Sequence, residues 1–210
     1  MDELKNVFQV RTSEIQELFN HIRDIERTSF SSSLFGPTLK ATFFLLFYNL
    51  LENIIYVMFE ILFDRINQEN LKLCMLNDKI QKQYKRYRSD KISAQELTQL
   101  SFERYSNNVK LFSGNLDARE IRKLLKNWGI SDDFHVVGEQ KLLEIKNYRN
   151  TLAHGQRSFK VIGREYSLRQ IDEDFFRILK EYIQMMIHTY EEFLEKKKYI
   201  GAFDDKYTGK

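Results

Sequence analysis

Phe43-Phe44-Leu45-Leu46-Phe47-Tyr48-Asn49-Leu50-Leu51-Glu52-Asn53-Ile54-Ile55-Tyr56-Val57-Met58-Phe59-Glu60-Ile61-Leu62-Phe63 is the stretch on which the fold turns. It is apolar and nearly long enough to cross the hydrocarbon core of a bilayer, for which about 20 residues are needed. Yet Asn49, Glu52 and Asn53 fall in its middle and Glu60 follows. A carboxylate between two amides at mid-membrane is expensive unless partners meet it there. A helix that is apolar nearly all round and lies outside lipid belongs at the centre of a bundle. Pro37 suits its first turn, so the stretch predicts a central helix from Pro37 to about Asn67. The competing reading, a membrane-associated helical protein, would use the same segment.

Working outward, apolar residues recur at spacings of three and four from Glu3 to Glu26 (Leu4, Val7, Phe8, Ile15, Leu18, Phe19, Ile22, Ile25). These mark one face of an amphipathic helix. Thr28 to Ser33 reads as a serine-rich break. From Leu71 to Asn127 the chain is more polar. Ser93 with Glu96 forms a capping-box pattern, Asp117 with Glu120 a weaker one, and Gly129 reads as a helix end. Two or three shorter helices are predicted there. Gly138 to Ala153 is another helix, closed by Gly155. Phe159–Ile162 and Glu165–Leu168 flank Gly163-Arg164 and read as two short strands of a β-hairpin with a type II′ turn. A long final helix is predicted from about Asp172 to Tyr199, ending in Glu195-Lys196-Lys197-Lys198, where cations complement the helix dipole. The expected organisation is all-α: one helical domain over residues 1–200 and a flexible tail over 201–210.

Bulk properties agree. The 210 residues are 42% hydrophobic and 14% aromatic, with 17 Phe and 11 Tyr, enough for a sizeable core. One Pro and eight Gly leave few helix breakers. A net charge of +3 permits a nucleic-acid partner without establishing one. The single Cys74 rules out an internal disulfide and fits a cytoplasmic setting. Met1-Asp2-Glu3-Leu4 lacks the features of a signal peptide. His21, His135 and His188 stand apart from other ligand types, so neither a metal site nor a cofactor is expected. Glycine-rich phosphate loops, Ser-x-x-Lys and Gly-x-Ser-x-Gly are missing, which argues against a P-loop ATPase, a kinase or a serine hydrolase.

The chemistry lies in Lys146-Asn147-Tyr148-Arg149-Asn150-Thr151-Leu152-Ala153-His154-Gly155. Histidine can take or give a proton near neutral pH, and the forked donors of arginine suit a phosphate or phosphorane-like charge. Asn150 lies four residues before His154, on the same helical face, where its amide could orient the imidazole or bind phosphate. Arg149 and His154 are roughly 140° apart on a regular helix. Either the helix unwinds towards Gly155, or a site combines residues from two copies across a two-fold interface. The plainer readings are a histidine that ends a helix and an arginine in a surface ion pair.

Arg149, a polar Asn150 and His154 with four intervening residues resemble the Arg-x4-6-His signature of HEPN domains, here as Arg-Asn-x-x-Ala-His-Gly closing a helix. Tyr48-Asn49-Leu50-Leu51-Glu52 in an apolar second helix, and the segments after the motif, are similar to defence-associated members. The resemblance implies a helical bundle, homodimers in which both motifs line one cleft, and metal-independent endoribonuclease activity. Its expected products are a 2′,3′-cyclic phosphate, or the 3′-phosphate from it, and a 5′-hydroxyl, made from single-stranded RNA or tRNA loops. A toxin or antiphage role restrained by an antitoxin or sensor protein is implied as well. Some HEPN domains instead bind nucleotides or assemble complexes without cleaving, and this non-catalytic scaffold is the alternative.

Two further groups are candidates. Glu52, with Asn49 and Asn53, is read either as support for Arg149 or His154 or as a buried polar network that fixes helix packing. Lys79, Lys82, Lys85, Arg86, Arg88 and Lys91, interleaved with Tyr84 and Tyr87, form either an RNA-contacting surface or a solvated helix face.

Overall fold

A computed structural model describes residues 2–27, 35–87, 100–112, 114–131 and 138–201. Among them run α1 (Asp2–Glu26), α2 (Phe35–Gln68), α3 (Asp78–Tyr87), α4 (Phe102–Asn108), α5 (Ala118–Asn127), α6 (Glu139–Ala153), α7 (Phe159–Gly163), α8 (Leu168–Gln170) and α9 (Arg177–Glu195). A 3-10 turn covers Leu73–Met75, and a π-helical stretch, Ile171–Phe176, joins α8 to α9. The Ser93–Glu96 pattern and all but the first residue of the expected tail lie outside the described residues.

The expected central helix is α2. Phe43, Phe44, Phe47, Tyr48, Ile54, Ile55, Met58, Leu62, Phe63 and Ile66 are completely buried along it, because α1, α6, α7, α4 and α9 pack around it. By length and composition α2 passes for a membrane span, but 61% of its most apolar window is buried inside the molecule. Two aromatic clusters use opposite ends of the helix. Towards its start Phe19 stacks on Phe43 with ring centroids 3.9 Å apart, and Phe47 stacks on Phe176 at 5.4 Å. Further along, Phe59 and Phe63 meet Trp128 at 4.9 and 5.6 Å. Such pairs add to the stabilisation from burial.

Several predicted boundaries hold for the predicted reasons. Asp117 caps α5 by accepting from the Glu120 N–H at 3.1 Å. Gly129 and Gly155 follow α5 and α6 in the left-handed region, φ +82° and +64°, where glycine ends helices without Cβ strain. The final helix stops earlier than expected, at Glu195. Lys197 turns the chain at φ 46°, and Tyr199 is buried; the Asn77 N–H then donates to the Tyr199 carbonyl at 2.9 Å.

The expected β-hairpin is not formed. Phe159–Gly163 is the helix α7, capped by the Ser158 hydroxyl, which accepts from the Val161 N–H at 3.3 Å. Ser167 opens α8 with a capping box in which its hydroxyl and N–H bond reciprocally with Gln170. Gly163 serves as a contact residue rather than a turn residue. A Cβ there would sit 1.7 Å from the Pro37 carbonyl oxygen. The helix α7 therefore presses its backbone directly onto the start of α2.

Candidate functional site

The motif sits on the last turn and a half of α6. That helix is held from two sides. Leu142, Ile145 and Leu152 bury into the core, and Lys146 forms an ion pair with Asp117 at 2.8 Å, the carboxylate being 9% exposed. Arg149, half-buried, points inward to α2. Its guanidinium carbon lies 4.6 Å from the centroid of the Tyr48 ring, a cation–π arrangement. Arg149 Nη1 also donates to Asn150 Oδ1 at 3.0 Å, and Asn150 Nδ2 donates to Asn115 Oδ1 at 2.8 Å.

His154 is the C-terminal cap of α6. Its N–H donates to the Asn150 carbonyl at 3.0 Å while its side chain is exposed. Arg149 and His154 thus leave the helix in different directions, one onto the ring of Tyr48 and the other into solvent. The helix stays regular as far as Ala153, so unwinding towards Gly155 does not supply the convergence that a single copy would need.

Both ends of the Asn150 amide are engaged, one with Arg149 and the other with Asn115, which places it against the arginine. The Glu52 carboxylate follows Tyr48 by one helical turn and acts on its hydroxyl electrostatically. That hydroxyl also accepts from the buried Leu116 N–H at 3.0 Å. Burial pushes the Tyr48 hydroxyl up to about 12 and the Glu52 carboxylate pushes the same way, while the Leu116 N–H and the Arg149 charge oppose them. The phenol therefore stays protonated and able to donate. Tyr48, whose ring lies beneath Arg149 and whose hydroxyl feels the Glu52 charge, is a residue that the sequence did not single out. Its signal was the i, i+4 spacing to Glu52 on an apolar helix.

Asn49 is separate. It is exposed and, with Asn53, Leu46 and Leu50, faces a groove bounded by Arg11, Glu14 and Ile15 of α1. The polar residues of α2 hence divide between two faces, Glu52 with the motif and Asn49 with α1. Asn53 Oδ1 is buried without a hydrogen-bond partner among the described residues.

Behind the motif, the Tyr148 hydroxyl bonds to Glu165 and Tyr166, each at 2.9 Å, and Arg157 pairs with Glu165. This ties the segment after His154 back to α6. Burial pushes the Tyr148 phenol well above its ordinary value, helped by the bond to Tyr166.

In the basic stretch, Lys82, Lys85 and Arg86 are exposed on α3, and Arg86 donates to Gln83 at 3.2 Å. Arg88 and Lys91 lie outside the described residues. Tyr84 is unavailable for base stacking: it is 3% exposed and stacks on Phe63 at 5.3 Å. Among the described residues no cluster of three or more His, Cys, Asp or Glu has metal-holding geometry.

No curated protein and no solved structure matches the chain significantly. The family model described as HEPN_MAE_28990-like HEPN matches residues 1–199. With that match spanning almost the whole chain and a bundle built around α2, the protein belongs to this family of HEPN domains.

Proposed function

We propose that the protein is a metal-independent endoribonuclease in which Arg149, Asn150 and His154 form each half of a site shared by two copies. The observation that carries this reading is the pairing of a braced cation with an open imidazole. Arg149 is held against Tyr48 and Asn150, while His154 projects into solvent one turn further on. A solvent-facing histidine at a helix end can meet a polymer substrate and a second subunit at once.

In the proposed reaction the ribose 2′-oxygen attacks the adjacent phosphorus as its proton passes to one imidazole. The P–O5′ bond breaks, and a second, protonated imidazole gives its proton to the departing 5′-oxygen. The products are a 2′,3′-cyclic phosphate and a 5′-hydroxyl, with no change of oxidation state. Arg149 holds the non-bridging oxygens, where negative charge accumulates. Two copies supply the separate acid and base that this step needs. Lys82, Lys85, Arg86 and Arg88 are assigned to more distant phosphates. We further propose a toxin or antiphage role, with an antitoxin or sensor protein as restraint, which the resemblance of the motif and second helix to defence-associated members supports.

Incubating total RNA plus EDTA with wild type and with His154→Ala tests the reading. Cleavage by wild type despite chelation, and none by a folded, dimeric variant, is the expected result. A requirement for magnesium, or cleavage by the variant, would sink it. Growth arrest on expression that Arg149→Ala relieves would support the toxin role.

A further inference from the structure

Three consecutive residues ahead of α5 bond to the two helices that carry the motif and its support. Asn115 Oδ1 accepts from Asn150 on α6, the Leu116 N–H donates to the Tyr48 hydroxyl on α2, and Asp117 pairs with Lys146 on α6. Leu116 is completely buried, which anchors the segment between them. Held at its hydroxyl by this buried backbone N–H, the ring offers the face on which the Arg149 guanidinium rests.

Other cations in the molecule lie over rings, Lys141 over Phe175 and Lys180 over Phe176. Those rings are phenylalanines and have no hydroxyl to tether. Among the described residues, only Tyr48 is a ring that lies beneath a motif residue and is also bonded at its hydroxyl. An arginine side chain has several rotatable bonds, and a loose guanidinium gives up much of its advantage as a preorganised charge.

We propose that Tyr48 is a positioning residue for Arg149, its ring, tethered at the hydroxyl by the buried Leu116 N–H, fixing the guanidinium in the orientation that receives a phosphate. The catalytic half of this inference rests on the ribonuclease reading; the positional half does not.

The test compares wild type, Tyr48→Phe, Tyr48→Leu, Arg149→Ala and the Tyr48→Leu/Arg149→Ala double variant, with Tyr48→Met replacing the leucine variant if that fails to fold. The first readout is the NMR signal of the Arg149 Nε–H, assigned by its loss in Arg149→Ala. It should be displaced by the ring current in wild type, move part of the way back in Tyr48→Phe, where the untethered ring is looser, and return to the ordinary arginine position in Tyr48→Leu. The second readout is cleavage of a single-stranded RNA. Tyr48→Leu should lower kcat by about 10²-fold with little change in KM, the size of effect that follows from a misplaced catalytic group. Tyr48→Phe, which keeps the ring but loses its tether, should fall between wild type and Tyr48→Leu, and the double variant should be no slower than Arg149→Ala alone.

An arginine signal indifferent to Tyr48→Leu would overturn the proposal, as would full additivity in the double variant. If wild type cleaves no RNA while the NMR pattern appears as described, positioning stands and the ribonuclease reading fails. If wild type cleaves and the signal does not respond, the reverse holds.

Discussion

Gly163 lies against Pro37 so closely that a Cβ on the glycine would sit 1.7 Å from the proline carbonyl oxygen and 2.5 Å from its carbon. Backbone cannot yield as a flexible side chain can, so α7 has to lift off α2 to admit even a methyl group. Gly163→Ala should cost about 3 kcal/mol, the upper end of ordinary overpacking. Gly155→Ala is the control. Its Cβ meets nothing within 4 Å, and only its φ of +64° is strained, which predicts a loss of about 1 kcal/mol. Urea unfolding at unchanged m-value measures both. Equal losses would show that the close approach has no energetic weight.

The Asp117 carboxylate should make stability depend on acid. Burial raises its proton affinity, but the Lys146 hydrogen bond, the Glu120 N–H and the nearby Lys146 and Arg119 charges outweigh this and hold it below the usual carboxylate range. A depressed folded-state value contributes stability that is present above the unfolded carboxylate range, near pH 4, and lost as pH falls through the folded value. Asp117→Asn should therefore lower stability at neutral pH and flatten the decline that wild type shows below about pH 4. Chemical denaturation from pH 7 to pH 2 follows it. A variant whose curve runs parallel to wild type would contradict the assignment.

Activity and stability should separate at His154. Its side chain is exposed and its backbone already caps α6, so His154→Ala should change unfolding free energy by no more than about 0.5 kcal/mol. The same change should abolish RNA cleavage. Loss of activity accompanied by a large drop in stability would point to a folding role instead.

The two readings of α3 make different demands on one short segment. Tyr84 is packed on Phe63, and its hydroxyl has no hydrogen-bond partner among the described residues, so Tyr84→Phe should raise stability by about 1 kcal/mol and leave RNA affinity alone. Lys82→Ala and Lys85→Ala should each reduce the slope of log affinity against log salt by about 0.7 if they meet phosphates of single-stranded RNA. An unchanged slope would make α3 a solvated face. Fluorescence anisotropy with a labelled RNA oligonucleotide, repeated over a salt series, measures it.

The hairpin expectation failed for an instructive reason. Phe159–Ile162 and Glu165–Leu168 alternate well enough for strands, and Gly163-Arg164 looks like a turn. The helix signals lay beside them in Ser158 and in the Ser167-x-x-Gln170 capping box. What outweighed the strand pattern was α2, against which a short helix bearing a bare backbone at Gly163 packs more closely than an isolated hairpin would. The polar residues of α2 show the same limit. Glu52 and Asn49 are three residues apart and read as neighbours on one face, yet the Glu52 charge acts on the Tyr48 hydroxyl while Asn49 opens onto the groove beside α1.

The apolar length of Phe43–Phe63, the periodicity of α1, the caps at Asp117 and Gly155 and the Arg149–His154 pair are all local patterns. Short-range sterics, hydrogen bonding and hydrophobic burial decide them within a few turns, so the linear sequence already carried the all-helical bundle and its motif. The support of that motif was decided only in three dimensions. Tyr48, Leu116, Asn115 and Asn150 come from segments up to about a hundred positions apart, and their bonds exist only after α2, α6 and the segment before α5 have packed. A ring beneath a guanidinium leaves no periodic trace in the chain, because its geometry depends on distance in space rather than spacing in sequence.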